Sequence, residues 1–550
     1  MKKKKYTREI AEWVSSVRYE DIPQAVIEEA KNQILSVLGA VYAGALSEPA
    51  VRLAEGVHSP TDGVECTYLP RGGKGSIHNV MLANLAHSIA LDYDDYLIAG
   101  HTGHSAVLAP LALAETLDVG GRDLLVAQVI ANEVAARIGA AVMVGPLNGQ
   151  MMTYIHAAGA ACAAGRLMGL TAEEIQSALG IALAQPGYGL IPGFLGSDAK
   201  LLCAGTAALA GVTAARLAAN GVKGFPDILE HHEGFCRASS YIPLLPILSG
   251  LGYTWLSSTL SYKIYPGCAY IDAVMDALLE IVRSEQPEPE NIDRIDVYAS
   301  LLTVKMDDFA RPFIRREATS PVTLNFYTPY NVAAGIIDGE LTPIQLAPNR
   351  IKDSAVWNLA KRVRVHHDLH LTGQMIDELA RVVDFRYLMK GMNWKALVGI
   401  LKQVGPAPWS RIAGVPSVNE VVRDILTFTG RALRAGAEIR HGEFVPDDIQ
   451  SFSMKFGARV EIRLKNGKVH ESAQDIPFGA AGRSIEEKRI DVINKFRQEA
   501  SLLLSDRTVG YLLNKIFDFE NLKNQGILNF IQICAGAAEA GRDMQHRAAG

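Results

Sequence analysis

Apolar residues recur at helical spacing through the first half of the chain. From Val26 they fall at Ala30, Ile34, Val37, Leu38 and Val41, the three-and-four step of a helix with one buried stripe. Asp21-Ile22-Pro23 stands just ahead, a capping side chain and an early proline that predict the helix start. The same period runs over Arg122 to Val144. Thr171-Ala-Glu-Glu174 is a capping box before another helix, and Asn220-Gly221 closes an Ala207 to Ala219 helix with a pair suited to left-handed backbone. Alanine and glycine crowd these helices, which predicts a densely packed bundle. Ile138 to Gly165 has no formal charge and the length of a membrane span. Pro146, Asn148, Gly149, Gln150 and His156 interrupt it, so two packed core helices joined by a loop are predicted.

The texture changes near Tyr265-Pro266-Gly267. Strands are predicted at Ile292 to Ala299, Arg362 to His366 and Arg459 to Ser472, the last broken by the hairpin signal Lys465-Asn-Gly-Lys468. Leu371 to Phe452 reads as a helical block interrupted at Gly405-Pro406-Ala407-Pro408. Ser484-Ile-Glu-Glu487 caps a final helical region to about Cys534, followed by a frayed tail. The predicted fold is mainly α: a helical body with a smaller α+β domain inserted in it. Residues 1–264 form the first part of the body, 265–483 the inserted domain with a helical block at about 371–452, and 484–550 return to the body.

Composition narrows the function. Hydrophobic residues make up 49% of the 550 and the net charge is −5, so nothing electrostatic points to nucleic acid. Lys2 to Lys5 are followed by no apolar segment, which argues against a signal peptide. The six cysteines stand far apart with no metal or disulfide spacing, which fits a reduced, cytoplasmic protein with no metal.

The densest polar group in an apolar setting is Asp92-Tyr-Asp94-Asp95-Tyr96, followed by His101 and His104. On a helix Asp92 and Asp95 would share a face. Three carboxylates and two histidines exceed what a core needs, since unpaired buried charge is costly, although Asp94 and Asp95 could simply cap or solvate a helix end. Two chemistries fit. Asp-x-Asp-Asp also occurs in terpenoid cyclases, but five tryptophans and 7% aromatics furnish a carbocation pocket poorly. A carboxylate and histidine combined with cations that hold a polycarboxylate is the other, and Lys200 and Lys263, alone in apolar, glycine-rich surroundings, supply the cations. A helical scaffold for protein partners would show a repeat, and none is visible.

At these residues the sequence resembles the MmgE/PrpD family. The match runs through Asn84 to Asp95, His101-Thr-Gly, Leu111 to Glu115, Ala178 to Ala182, Asp198-Ala-Lys200, Lys263-Ile-Tyr-Pro266 and Phe326 to Tyr330 with Asp338-Gly339. Phe496, Asp506 and Leu512 close it. The resemblance implies an all-α helical body with a smaller inserted α+β lid domain, about 371–452 being an insertion relative to shorter members. It also implies a homodimer with no cofactor, acting on a small-molecule carboxylic acid. It implies catalytic roles for Asp92, His101, Lys200, Lys263 and Tyr330, with Tyr96, His104, Gln150, Cys268 and Asp272 beside the substrate. It also implies one of three related reactions: dehydration of 2-methylcitrate, decarboxylation of cis-aconitate or epimerisation of iminodisuccinate. All three develop carbanion character beside a carboxylate. Elimination of water from a hydroxy-polycarboxylate is the expectation taken forward, with epimerisation and decarboxylation as alternatives.

On that reading Lys200 and Lys263 stabilise the enediolate charge, His101 moves the proton with Asp92 fixing its tautomer, and Tyr330 donates to a leaving hydroxyl. His104 rivals His101. The chain departs from the family where Gln150 and Asp272 stand in place of histidines, with His156 six residues beyond Gln150. The departures point to a substrate less anionic at one end than 2-methylcitrate.

Overall fold

The Gln24–Gly44 helix is buried on nearly every side from Val26 to its end, so it forms the axis of a bundle rather than a surface layer. It begins one residue after Pro23. Asp21 does not cap it, because that carboxylate accepts from the Arg18 amide within the preceding turn. The Ile77–Ile89 helix crosses close to its far end. A Cβ on Gly44 would lie 1.8 Å from the His87 carbonyl oxygen, so only glycine allows this approach. The computed structural model describes residues 4–59, 65–146, 150–404 and 449–536, with isolated positions between 430 and 444. The 537–550 tail and most of 405–448, including Gly405 to Pro408, lie outside the described residues.

The fold is mainly α. By its internal contacts the chain divides into two compact units, one of residues 1–190, 199–262 and 485–550, the other of 191–198 and 263–484. The sequence reading put 191–198 in the helical body. Leu195 instead packs with Cys268, Ala310 and Phe326 of the second unit, and its carbonyl accepts from the Thr323 hydroxyl.

In the first unit the Gly121–Ala141 and Gln150–Leu167 helices pack together, and the small side chains read from the sequence allow it. Gly121–Ala141 and Asp198–Ala219 are long and apolar enough to cross a membrane, but the first is wholly buried inside the protein. The Thr171 capping box forms, with the Thr171 amide donating to Glu174 at 2.8 Å. The Leu202–Ala219 helix ends at Asn220 with Gly221 at φ 84°. The Ile485–Ala500 helix follows Ser484 and lies along Gln24–Gly44.

The second unit is built on a four-stranded sheet ordered Val469–Gln474, Ala458–Leu464, Ile292–Ala299, Val363–His367. The first two contacts are antiparallel and the last is parallel. Lys465 to Lys468 makes the hairpin turn, with Gly467 at φ 89°. The parallel pair needs a long crossover, which the helices between Leu301 and Ala360 provide. Asp272–Glu285 packs on the sheet and against Thr328–Asp338.

One feature of the first unit makes it acid-sensitive. Burial, then the charge of Arg71, lowers the His87 pKa to about 4, well under its ordinary 6.5. The unfolded chain therefore takes up this proton first. Stability is flat above pH 6.5 and falls between pH 6.5 and 4 by roughly 3 kcal/mol from this group alone. In His87→Leu the drop in melting temperature between pH 7 and pH 4.5 should be several degrees smaller than in wild type. An equal drop in both would assign the acid sensitivity elsewhere.

Candidate active site

The Ile77–Ile89 helix ends three residues before Asp92, and Asp92 itself takes a left-handed conformation, φ 51°. Aspartate tolerates that region better than most residues. Asp95–Tyr96 then pairs antiparallel with Ser261–Tyr262. The three aspartates therefore lie on a turn running into a strand, and the helix face expected for Asp92 and Asp95 does not exist. The turn sends the carboxylates in different directions. Nor are Asp94 and Asp95 a solvated helix end, since Asp92, Asp94 and Asp95 are all buried.

Each buried carboxylate has a distinct partner. Asp92 Oδ1 accepts from Lys200 Nζ at 2.7 Å, both side chains out of solvent. Asp95 Oδ2 accepts from Gln33 Nε2 at 2.8 Å, and Gln33 is tied in turn to Asn132 and Gln128. Asp94 faces the histidines: Oδ2 is 2.9 Å from His104 Nε2 and Oδ1 is 3.6 Å from His101 Nδ1. The carboxylate seen to face His101 is thus Asp94, where the sequence reading assigned Asp92.

The two histidines differ in what they can do. His101 Nδ1 is 2.9 Å from the Asp95 carbonyl oxygen, which can only accept, so Nδ1 carries a hydrogen and Nε2 is the nitrogen left to exchange a proton. Its side chain is 20% exposed, whereas those of His104 and Asp94 are closed off from solvent. His104 Nδ1 meets the Ser88 hydroxyl at 2.9 Å, and that hydroxyl also reaches the Leu85 carbonyl. Behind His104, with ring centroids 5.8 Å apart, lies His156, whose Nδ1 is 2.8 Å from Ser105 Oγ. Burial and then the neighbouring His104 hold His156 well below the ordinary histidine range, so it is neutral at pH 7. Among the described residues no group of three or more His, Cys, Asp or Glu side chains is arranged to hold a metal ion.

The arrangement brings together Asp92 with Lys200, and Asp94 with His101 and His104. Tyr96 is buried with its ring centroid 6.2 Å from that of His101. Gln150 opens the Gln150–Leu167 helix, and its side chain lies outside the described residues. The other expected residues belong to the second unit. Lys263 is fully buried and directly follows the Ser261–Tyr262 strand. Cys268 donates its amide to the Asn325 carbonyl at 2.7 Å. Asp272 sits buried in the first turn of its helix. The Tyr330 hydroxyl donates to the Gln345 carbonyl at 2.8 Å and its ring packs on Trp357.

Asp94 gives less signal in the sequence than its place here, and nothing local marks His156, Ser88 or Ser105 as its neighbours, because only packing of separate helices assembles them. Gly103 also shapes the site. A Cβ there would lie 1.7 Å from Asp95 Oδ1 and 2.6 Å from Val37 Cγ2. Gly103→Ala should displace Asp95 from Gln33 and destabilise the protein by about 2 kcal/mol or more. The check is thermal unfolding, and an unchanged melting temperature would mean that Asp95 moves aside freely.

Comparison with known proteins places the chain in a family. The MmgE/PrpD N-terminal domain matches residues 8–243 and the MmgE/PrpD C-terminal domain residues 265–386. Cis-aconitate decarboxylase of Aspergillus terreus (strain NIH 2624 / FGSC A1156) is 26% identical over 387 residues, 66% of this chain and 78% of that protein. The cis-aconitate decarboxylase of Homo sapiens is 22% identical over 545 residues, 96% of this chain and 94% of that protein. A cis-aconitate decarboxylase-like protein, oryM, of Aspergillus oryzae (strain ATCC 42149 / RIB 40) is 24% identical over 386 residues, 66% of this chain and 79% of that protein. With the two domains matched in order over more than half its length, the chain belongs to the MmgE/PrpD family.

Proposed function

We propose that this protein is a lyase that moves a proton at a carbon beside a carboxylate of a di- or tricarboxylic acid, with His101 as the proton carrier. The observation that carries the reading is the His101 geometry: Nδ1–H bonded to the Asp95 carbonyl, which leaves Nε2 to exchange a proton, and the Asp94 carboxylate 3.6 Å away to stabilise the imidazolium. In an elimination, Nε2 takes the α-proton, the C–O bond breaks, and the imidazolium hands that proton to the departing hydroxide, which leaves as water. In a decarboxylation, His101 begins as the imidazolium: the C–C bond electrons stay with the substrate as carbon dioxide departs, Nε2–H gives its proton to the carbon, and solvent reprotonates the ring. Lys200, held by Asp92, offsets the negative charge that develops in either case. The relatives named as cis-aconitate decarboxylases move decarboxylation ahead of the dehydration expected from sequence. Lys263 is a second candidate cation, from its apolar, glycine-rich surroundings and the family resemblance, while the Tyr330 hydroxyl already donates to the Gln345 carbonyl. A homodimer in the cytoplasm belongs to the same proposal, and light scattering at twice the chain mass would support the dimer.

The test is a panel of cis-aconitate, citrate, 2-methylcitrate and hydroxy-dicarboxylates, assayed after EDTA dialysis. Carbon dioxide release from cis-aconitate supports decarboxylation, and alkene absorbance from a hydroxy acid supports dehydration. Activity that vanishes with EDTA and returns with a metal would contradict the cation role given to Lys200. Silence across the panel in folded protein would remove the reading.

A further inference from the structure

The Ile485–Ala500 helix turns three ionisable side chains, Lys488, Lys495 and Glu499, into the interior of the first unit. They lie on one helix face, at spacings of seven and four. A buried lysine is costly unless its donors and charge are used, so apolar residues would serve packing better. Lys495 Nζ donates to the Tyr93 carbonyl and to Ser36 Oγ at 3.0 Å, and stands 3.5 Å from the Asp94 carbonyl. Ser36 Oγ donates to the same Asp94 carbonyl at 3.0 Å. The ammonium also lies 4.0 Å from the centre of the Tyr93 ring. Seven residues earlier Lys488 pairs with Glu29 and donates to the Leu260 carbonyl at 2.9 Å. Glu29 accepts from Tyr262, on the strand that pairs with Asp95–Tyr96.

We infer that Lys495 is a positioning residue for the proposed active site, its ammonium fixing the Asp92–Tyr96 turn from behind through the Tyr93 and Asp94 main chain and Ser36. Asp92 holds a left-handed conformation that needs such support, and three buried carboxylates follow one another there with the cation at their back. Burial pushes the Glu499 carboxyl up to about 8, so at neutral pH it leaves the Lys495 charge largely to the turn. The Lys488 contacts hold the neighbouring strand in the same way.

The kinetic half of the test rests on the proposed reaction, and hydrogen exchange does not. In Lys495→Met, amide protection should fall at least tenfold over residues 90–104 and stay unchanged in the rest of the chain, with the melting temperature kept. Where the reaction is in hand, kcat should fall about 10²-fold with KM within threefold, because a displaced turn misplaces the base. Lys495→Arg should restore most of the protection. If Lys495→Met does not fold, Lys495→Gln is read in the same way. Wild-type exchange over 90–104 in a folded, charge-free variant would overturn the inference. A wild type inactive on every acid would fail the functional reading alone, with the exchange result still deciding the role of Lys495.

Discussion

Replacing His101 by glutamine should lower kcat by about 10²- to 10⁴-fold, the range expected when a positioned proton carrier is lost. KM should change little, because the imidazole acts on a proton rather than holding a carboxylate. The side chain is part-exposed and its protein partners are the Asp95 carbonyl and Asp94, so the melting temperature should stay within a few degrees. His104→Gln is a useful contrast. His104 is shut away between Asp94 and Ser88, so its loss should cost stability as well as turnover. Steady-state kinetics with thermal unfolding on both variants checks this. Equal turnover loss in both, with stability falling only for His104→Gln, would leave the choice between them to the pH profile. A fully active His101→Gln would move the base to another group.

The second large effect is at Lys200. Lys200→Met should lower kcat by 10²-fold or more, since a cation that stabilises developing charge acts mainly in the transition state. It should also destabilise the protein by about 3–5 kcal/mol, because Asp92 is left charged and buried without this partner. The two losses can be separated. Adding Asp92→Asn removes the stranded charge, so the double variant should regain much of the stability and none of the turnover. Recovery of both would mean that the pair is purely structural. Loss confined to KM would mean that Lys200 only binds substrate.

How much of this was legible depended on how local the determinant is. The Ile292–Ala299 strand is readable because its β-branched and apolar residues follow directly on the Pro289 to Asn291 turn, and the hairpin at Lys465 to Lys468 because an Asn-Gly pair carries its own backbone preference. The Asp92 to Asp95 segment was misread as helix because the apolar period of Ile77–Ile89 runs up to it. Nothing in that period announces the left-handed Asp92 or the strand partner Ser261, far along the chain. Residues 191–198 look like one more apolar piece of the body, and only the packing of Leu195 on Phe326 shows otherwise. The sequence offers Asp92, His101 and Lys200 as residue types suited to the proposed chemistry. Their pairing is not legible there, because burial decides which carboxylate meets which cation, and Asp94 took the histidine-facing place. His156 shows the same limit: its place behind His104 follows from helix packing, not from any spacing in the sequence.

The central claim is proton transfer at a carbon beside a carboxylate through His101. Incubating the enzyme with cis-aconitate, and then with each hydroxy acid of the panel, in deuterium oxide and following the carbon-bound hydrogens by proton NMR tests it most directly. The account predicts enzyme-dependent deuterium at the reacting carbon, of the product in decarboxylation or of recovered substrate in elimination, lost in His101→Gln. Turnover without deuterium at that carbon, or equal incorporation by His101→Gln, would contradict it.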